Sequence, residues 1–567
     1  MQREHQRRGH GRGTSLRRYL PVAYLAAAMI AAGLVLPSAL RPPPDPANTS
    51  NALNPNAPPN QDNPDQILES LQEAGGAGAG AATSSTTTTL RSARQLVRVA
   101  PPITLPPAAS LDYCYGNPPR QIPSVYAGPC VGAWQGNNGG STSKNVSANE
   151  IRIGFDNAGA PDAGVVPPAS SNNAGTSSTT VTWQVLTAYF NEHYQLYNRK
   201  VVFFGLTDPG SDTADDEAAS AGTYADTDDL FAIYDEKQDV CEDFEQRGLV
   251  AFCDPLADAA YDDNRPGLFS APVGSSDMDL NEMLDFGAEY ACKVLKGKPA
   301  VFGGPGLTTE MRKIGFITFE SADGGLPASV FTTAYSNQCG GTVVDNATMS
   351  SEADAETATE AMARFRADGI TTVVFNNSVG NVVLAMEAAS ASGYTPEWVM
   401  LGNYAMDTNL LTEIEPTVQS AHEFGLSAME WPQVPAATEC YEAFHSIDPG
   451  AEPNSQTCLN DWITLVLIMD GIQAAGPDLT PATLQRGLFD VGYRFGQTVW
   501  SVGGGFGPGH YAYADSVAQV WFDPTAIDPT SGAPGAYMWT SARHQLGQLT
   551  ADDSQLFKIG SPVAPET

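Results

Sequence analysis

From Glu150 onward, short apolar runs that end in a polar residue alternate with stretches of helix-compatible sequence. This alternation constrains the chain more than any other feature. It fits parallel strands joined by crossover helices, and fits neither a β-sandwich nor a helical bundle. The first series is "IRIGFD" from Ile151, "KVVFFGLTD", "DLFAIYD" and "GLVAFCD". Between its first two strands, "VTWQVLTAYFNEHYQLYN" reads as a helix, because Val185, Tyr189 and Tyr194 stand near helical spacing. The helix "LNEMLDFGAEYACKVLKG" and the segment "KPAVFGGPGLTTEMRK" lead to a second series, "IGFITFE", "GTVVDNATM", "TTVVFNN", "WVMLGN" and "FGLSAM". Two series imply two lobes. After Trp431 the pattern returns to helices, "ATECYEAFHS", "CLNDWITLVLIMDGIQAAG" and "PATLQRGLFD", then a glycine-rich stretch and "DSVAQVWFDP". The run "WITLVLIMDGI" is too short for a bilayer and carries Asp470, so it reads as a buried core helix.

In open parallel sheets, ligands bind outside the carboxyl ends of the strands, where helix N-termini offer free amide hydrogens. Asn376, Asn377 and Ser378 stand at such an end: Ser378 can cap the following helix while the asparagines donate and accept hydrogen bonds toward a cleft. The same three residues also suffice to make a turn and a cap and do nothing more. The arrangement recurs, however, with Asp156 and Asn157 after the first strand, Asp235 after "LFAIY", Asp254 after "LVAFC", Glu320 and Ser321 after "GFITF", and Asn403 and Tyr404 after "VMLG". A pocket of carboxylates, amides and a tyrosine suits a small polar ligand held by paired hydrogen bonds. Trp183 and Tyr404 are candidates to pack on apolar parts of that ligand, or equally on their own lobes.

Enzyme signatures are missing. No G-x-S-x-G elbow, phosphate-binding loop or H-E-x-x-H occurs, the seven histidines are scattered, and no catalytic, metal or cofactor site is expected. "GGGFGPG", Gly503 to Gly509, has glycines at a dinucleotide-like spacing, but Pro508 and the lack of a preceding β-branched strand make it a turn. The acidic stretches "DTADDEAAS" and "ADTDD" lack the glycine and terminal glutamate of a calcium loop and read as solvated surface.

With 567 residues the chain has enough length for two cores. Residues 1–18 hold six arginines and one glutamate, and the remainder carries 23 basic against 63 acidic groups. That acidity repels nucleic acid and anionic lipid and fits a soluble exported body. Residues 1–40 read as a signal peptide or membrane anchor: Arg17 and Arg18 precede the 22-residue apolar run "YLPVAYLAAAMIAAGLVLPSAL". Cleavage and retention both stay open, because "PSA" is a poor match to a cleavage site. Residues 41–110 are rich in Pro, Ala, Ser and Thr and read as a disordered stalk. All eight cysteines lie beyond residue 113, which fits disulfides formed in an oxidising compartment after export. Sequence proximity favours Cys114 with Cys130, Cys241 with Cys253 and Cys440 with Cys458, leaving Cys292 with Cys339, out of roughly a hundred connectivities.

In this order the motifs resemble the type I periplasmic binding proteins, in particular the branched-chain amino-acid (leucine-binding) substrate-binding proteins of ABC importers. "CVGAWQGNNGGSTSKNVSANEIRIG" is similar to the lead-in and first strand of actinobacterial members. "KVVFFGLTD", "GKPAVFGGPGLTTEMRKIGFITF" and "ADGITTVVFNNSVGNVVLAMEAASASGYTPEWVMLGN" follow in the family's order. The resemblance implies an α/β fold of two Rossmann-like lobes joined by a three-segment hinge, closing on a ligand without catalysis. Combined with the composition, the expected organisation is a Cys-closed lead-in at 111–149, an N-terminal lobe at 150–312 and 433–500, and a C-terminal lobe at 313–432 and 501–550. Ligand contacts are implied for Asp235, Asp254, Glu320, Asn376, Asn377, Ser378, Asn403 and Tyr404. The family's backbone-binding serine and alanine-threonine pair have no counterpart, since "YDEKQD" and "FCDPLADAAY" stand in their places, and an insertion, "DNAGAPDAGVVPPASSNNAGTSSTT", follows the first strand. The implied function is an exported or cell-surface protein that delivers a small polar, amino-acid-like or amide-like molecule to an ABC permease. The alternative is a membrane-anchored sensor or ligand-binding ectodomain without transport.

Overall fold

The computed structural model describes residues 114–155, 175–176, 179–206, 214–235, 238–253, 265–270, 278–319, 326–349, 354–376, 379–402, 407–408, 414–431, 433–454, 457–458, 461–492, 502–528, 532–550, 554 and 556–558. The expected targeting segment and stalk lie outside them. Among the described residues, β1 (Glu150–Phe155), β3 (Lys200–Gly205), β4 (Ala232–Asp235), β5 (Val250–Cys253) and β6 (Leu268–Ser270) pair in parallel in the order β3-β1-β4-β5-β6. Every residue of β5 is buried, as a strand covered on both faces requires. The covering helices include α1 (Thr179–His193), α2 (Ala214–Asp226) and α3 (Gln238–Gln246). The short β2 (Gly175–Thr176), at the end of the insertion, pairs instead with β12 (Ala451–Glu452).

A second sheet contains β7 (Ile314–Phe319), β8 (Val343–Met349), β9 (Thr372–Asn376), β10 (Glu397–Leu401), β11 (Glu423–Ser427), β13 (Ser516–Ile527) and β14 (Pro534–Gln545), in the order β14-β13-β11-β10-β9-β7-β8. β13 runs antiparallel to β11, and β14 antiparallel to β13. Counted along the chain, the five parallel strands of each sheet have the order 2-1-3-4-5. Each sheet therefore has one topological switch point, between β1 and β4 in the first and between β7 and β9 in the second.

Helices α4 (Leu280–Tyr290), α5 (Ser329–Cys339), α6 (Ala355–Ala367), α7 (Val379–Ser392) and the single turn α8 (Thr417–Ser420) precede α9 (Glu439–Ile447), α10 (Trp462–Ala475) and α11 (Pro481–Val491). α4 falls in the span expected for the first lobe, yet it packs on the second sheet. A Cβ on Gly287 would meet Leu401 of β10 at 2.4 Å, Tyr290 donates to Gln519 of β13 at 3.3 Å, and Cys292 just beyond the helix is bonded to Cys339 of α5. α10 is the buried helix its sequence suggests: its Asp470 accepts from Gly128 N at 2.8 Å and Tyr194 Oη at 3.1 Å. The remaining disulfides join Cys114 to Cys130, Cys241 to Cys253 and Cys440 to Cys458.

The described elements on either side show that the chain passes between the lobes three times, between β6 and α4, between β11 and α9, and between α11 and β13. In the third crossover the glycine-rich run folds back on itself, with Gly505 N donating to Tyr513 O and a turn at Gly509, whose φ is 74°. Arg543 of β14 ties the second crossover to the start of β13: its Nη1 donates to Met429 O at 2.7 Å, its Nη2 to Ala428 O, and its Nη2 also to Ser516 O at 2.8 Å.

Candidate functional site

The carboxyl ends of the parallel strands are where this topology positions polar groups for a ligand. Both sets of ends adjoin the crossovers. Ser270, the last residue of β6, donates its N–H to Tyr511 O in the third crossover at 2.9 Å, and Ser427, the last residue of β11, runs directly into the second. Asp235 is the last residue of β4 and its side chain lies outside the described residues, as do Asp156, Asn157, Asp254, Glu320, Ser321, Asn377, Ser378, Asn403 and Tyr404. Each nonetheless follows, or nearly follows, the end of a parallel strand.

Asn376 is described in full. It closes β9 at the switch point of the second sheet, is buried, and its Nδ2 donates to Leu401 O of β10 at 3.2 Å. That amide hydrogen bond ties two strand ends together, so part of the side chain serves the fold rather than a cleft.

Elsewhere at the strand ends stand Asp407 and Ser270, which the sequence pattern did not single out, and Trp183, which it did. Asp407 is buried, and its Oδ2 accepts the Ser427 hydroxyl at 2.5 Å. Burial pushes its carboxyl up to about 6, although Ser427 and Arg543 favour the charged form. Gly402, the residue after β10, has to be a glycine because a Cβ there would meet Asp407 Oδ2 at 2.4 Å. In the first sheet, Trp183 in the opening turns of α1 stacks on Phe155, the last residue of β1, and its buried indole N–H has no hydrogen-bond partner among the described residues. The hydroxyl of Ser270 is also buried and has no partner among the described residues. A buried donor without an acceptor costs about 1–3 kcal/mol, which marks both positions as places where an incoming acceptor would be favourable. β6 was not legible in advance: three residues, "LFS", are too few to show alternation.

An open depression of about 870 Å³ lies at the opposite, amino-terminal edge of β5 and β6, between Glu245, Arg265 and Thr480. Arg265 is already held there by Glu245 at 2.9 Å and Glu242 at 3.2 Å, and this edge is not the one where an open α/β sheet binds ligands. Among the described residues, no group of three or more His, Cys, Asp or Glu is placed to hold a metal ion, and no helix is long and apolar enough to cross a membrane.

The sequence model of the family described as periplasmic binding protein matches residues 163–510. No curated protein matches the chain. Among solved structures, similar ones include an ABC transporter substrate-binding protein from Desulfitobacterium hafniense, 15% identical, covering 69% of this chain and 100% of its own, with a TM-score of 0.44. A fatty acid ABC transporter substrate-binding protein from Thermomonospora curvata is 12% identical, covering 73% of this chain and 95% of its own, with a TM-score of 0.44. An ABC transporter solute-binding protein from R. palustris in complex with 4-hydroxybenzoate is 12% identical, covering 68% and 97%, also with a TM-score of 0.44.

Proposed function

The chain belongs to the periplasmic binding protein family, and from this we propose that it is an exported solute-binding protein that captures a small polar molecule for an ABC permease. The ligand is amino-acid-like or amide-like and is held between the lobes without being turned over. The observation that carries this reading is the pair of matched strand orders, each with its switch point at a carboxyl edge that adjoins the crossovers. Asp235, Asp254 and Glu320 are the proposed carboxylate contacts, Asn376, Asn377, Ser378, Asn403 and Tyr404 the neutral ones. The donors of Trp183 and Ser270, without partners among the described residues, add two sites for ligand acceptors.

Thermal unfolding of the full chain against amino acids, amides, short peptides, polyols and aromatic acids tests the proposal. One class should raise the midpoint saturably, because a ligand at a hundred times its Kd adds about 2.7 kcal/mol to the native state. A folded chain that responds to none of them would overturn it.

A second reading, a membrane-anchored ectodomain without transport, is supported by the 22-residue apolar run followed by the long Pro- and Thr-rich stretch. The intact mass of the native protein separates the two in part, since loss of about forty N-terminal residues would remove the anchor.

A further inference from the structure

The lead-in that precedes β1 touches more than the lobe it introduces. Cys114 and Cys130 close it into a loop, and two of its backbone N–H groups dock on carboxylates of the first lobe, one half-buried and one buried. Val125 N donates to Glu439 Oε1 of α9 at 2.9 Å, and Gly128 N to Asp470 Oδ1 of α10 at 2.8 Å. Those contacts would suffice to hold a purely structural loop. Tyr126, between them, does something different: it is buried, and its hydroxyl reaches two crossovers at once. The O–H donates to Glu430 Oε2 in the second crossover at 2.7 Å, while the same oxygen accepts from Val502 N in the third at 3.0 Å. Its ring also meets Tyr513, further along the third crossover, edge to face at 6.2 Å.

Crossovers are the segments whose backbone must turn when two lobes hinge. A single oxygen bonded to both, on a loop fixed to one lobe, opposes any motion that separates Glu430 from Val502. Arg543, on the other lobe, makes the complementary tie between Met429 and Ser516. We propose that the disulfide-closed lead-in is a strap across the hinge, with Tyr126 holding the second and third crossovers in one arrangement and thereby setting how readily the lobes close on a ligand. The strap rests on the solute-binding reading for its purpose, but its mechanical action is measurable without any ligand.

The test is the distance distribution between spin labels on the exposed faces of α2 and α6, at Thr223 and Thr359, in the ligand-free full chain. The labels are introduced as non-cysteine amino acids, because all eight cysteines are in disulfides. Tyr126→Phe keeps the ring and removes the oxygen. It should raise the population of a second interlobe distance roughly tenfold over the wild-type chain, as loss of a hydrogen bond to a charged group predicts. Far-UV circular dichroism should stay unchanged. Cys114→Ser with Cys130→Ser, which loosens the loop but keeps Tyr126, should shift the distribution in the same direction. Superimposable distributions for the wild type and a folded Tyr126→Phe chain would overturn the strap. If Tyr126→Phe alone fails to fold, the double serine variant decides by the same comparison. Silence across the ligand panel bears on the binding reading alone, whereas unchanged distances bear on the strap alone.

Discussion

Glu397 opens β10 fully buried, and its carboxylate is matched atom for atom by Arg312: Nε to Oε2 at 2.7 Å and Nη2 to Oε1 at 2.8 Å. Thr372 Oγ1 and Phe302 N complete the set at 2.6 and 3.1 Å. Two buried charges of this kind add little net stability as a pair, but removing one strands the other. Arg312→Ala should therefore cost about 3–5 kcal/mol in urea unfolding, while replacing both residues with apolar ones of similar volume should cost far less. Neither residue stood out in the sequence, where Arg312 lies in "GLTTEMRK" and Glu397 in "YTPEWV". Residue types at the strand ends could be read from pattern; their partners could not, because Asn376 and Leu401 are brought together only by the pairing of β9 with β10.

Among the elements, β5, β9, β10 and β11 were readable because each is a run of buried, mainly apolar residues with a polar residue at or just beyond its end, a mark that the edge strand β8, "VVDNATM", lacks. β14 was not, since Tyr537 and Trp539 pack in one core while Met538 packs in another, so both faces are covered and no alternation survives. α4 shows how far sequence order misleads about packing. Its helical pattern is plain, but its assignment to the second sheet depends on Gly287, which lets it sit on Leu401, and on the bond from Cys292 to Cys339. Cys292→Ser with Cys339→Ser should lower the stability of the second lobe by about 2–4 kcal/mol, read as an earlier transition in denaturant unfolding, with the secondary structure intact by circular dichroism.

For the molecule as a whole, buried acids set how stability changes with pH. Glu415 and Glu423 face each other beside Tyr537, and burial raises both carboxyls, Glu423 to about 7 and Glu415 well above its ordinary value. Burial also raises Asp407 and Asp515 to about 6. A carboxyl whose folded pKa is raised contributes stability that is complete below its unfolded value, about 4 for these groups, and is lost as pH climbs through the folded value. His510 works in the opposite sense: burial lowers it to about 4, so its contribution is present above about 6.5 and fades as pH falls toward 4. The melting midpoint should thus be highest near pH 4, because the four acids outweigh the single histidine above it, and fall by the order of 5 °C by pH 8, and Glu423→Gln should flatten the alkaline side; a midpoint that rises from pH 4 to 8 would contradict this. The sequence by itself determined the α/β class, the two series and the polar strand ends, because burial on both faces and the need to turn and cap leave their marks in local residue order. The tertiary structure alone decided which sheet α4 joins, that both sheets share one strand order, that Asp407 meets Ser427, and that Tyr126 reaches two crossovers. Those are contacts between residues far apart in the chain, and no local pattern encodes which distant backbone a side chain will meet.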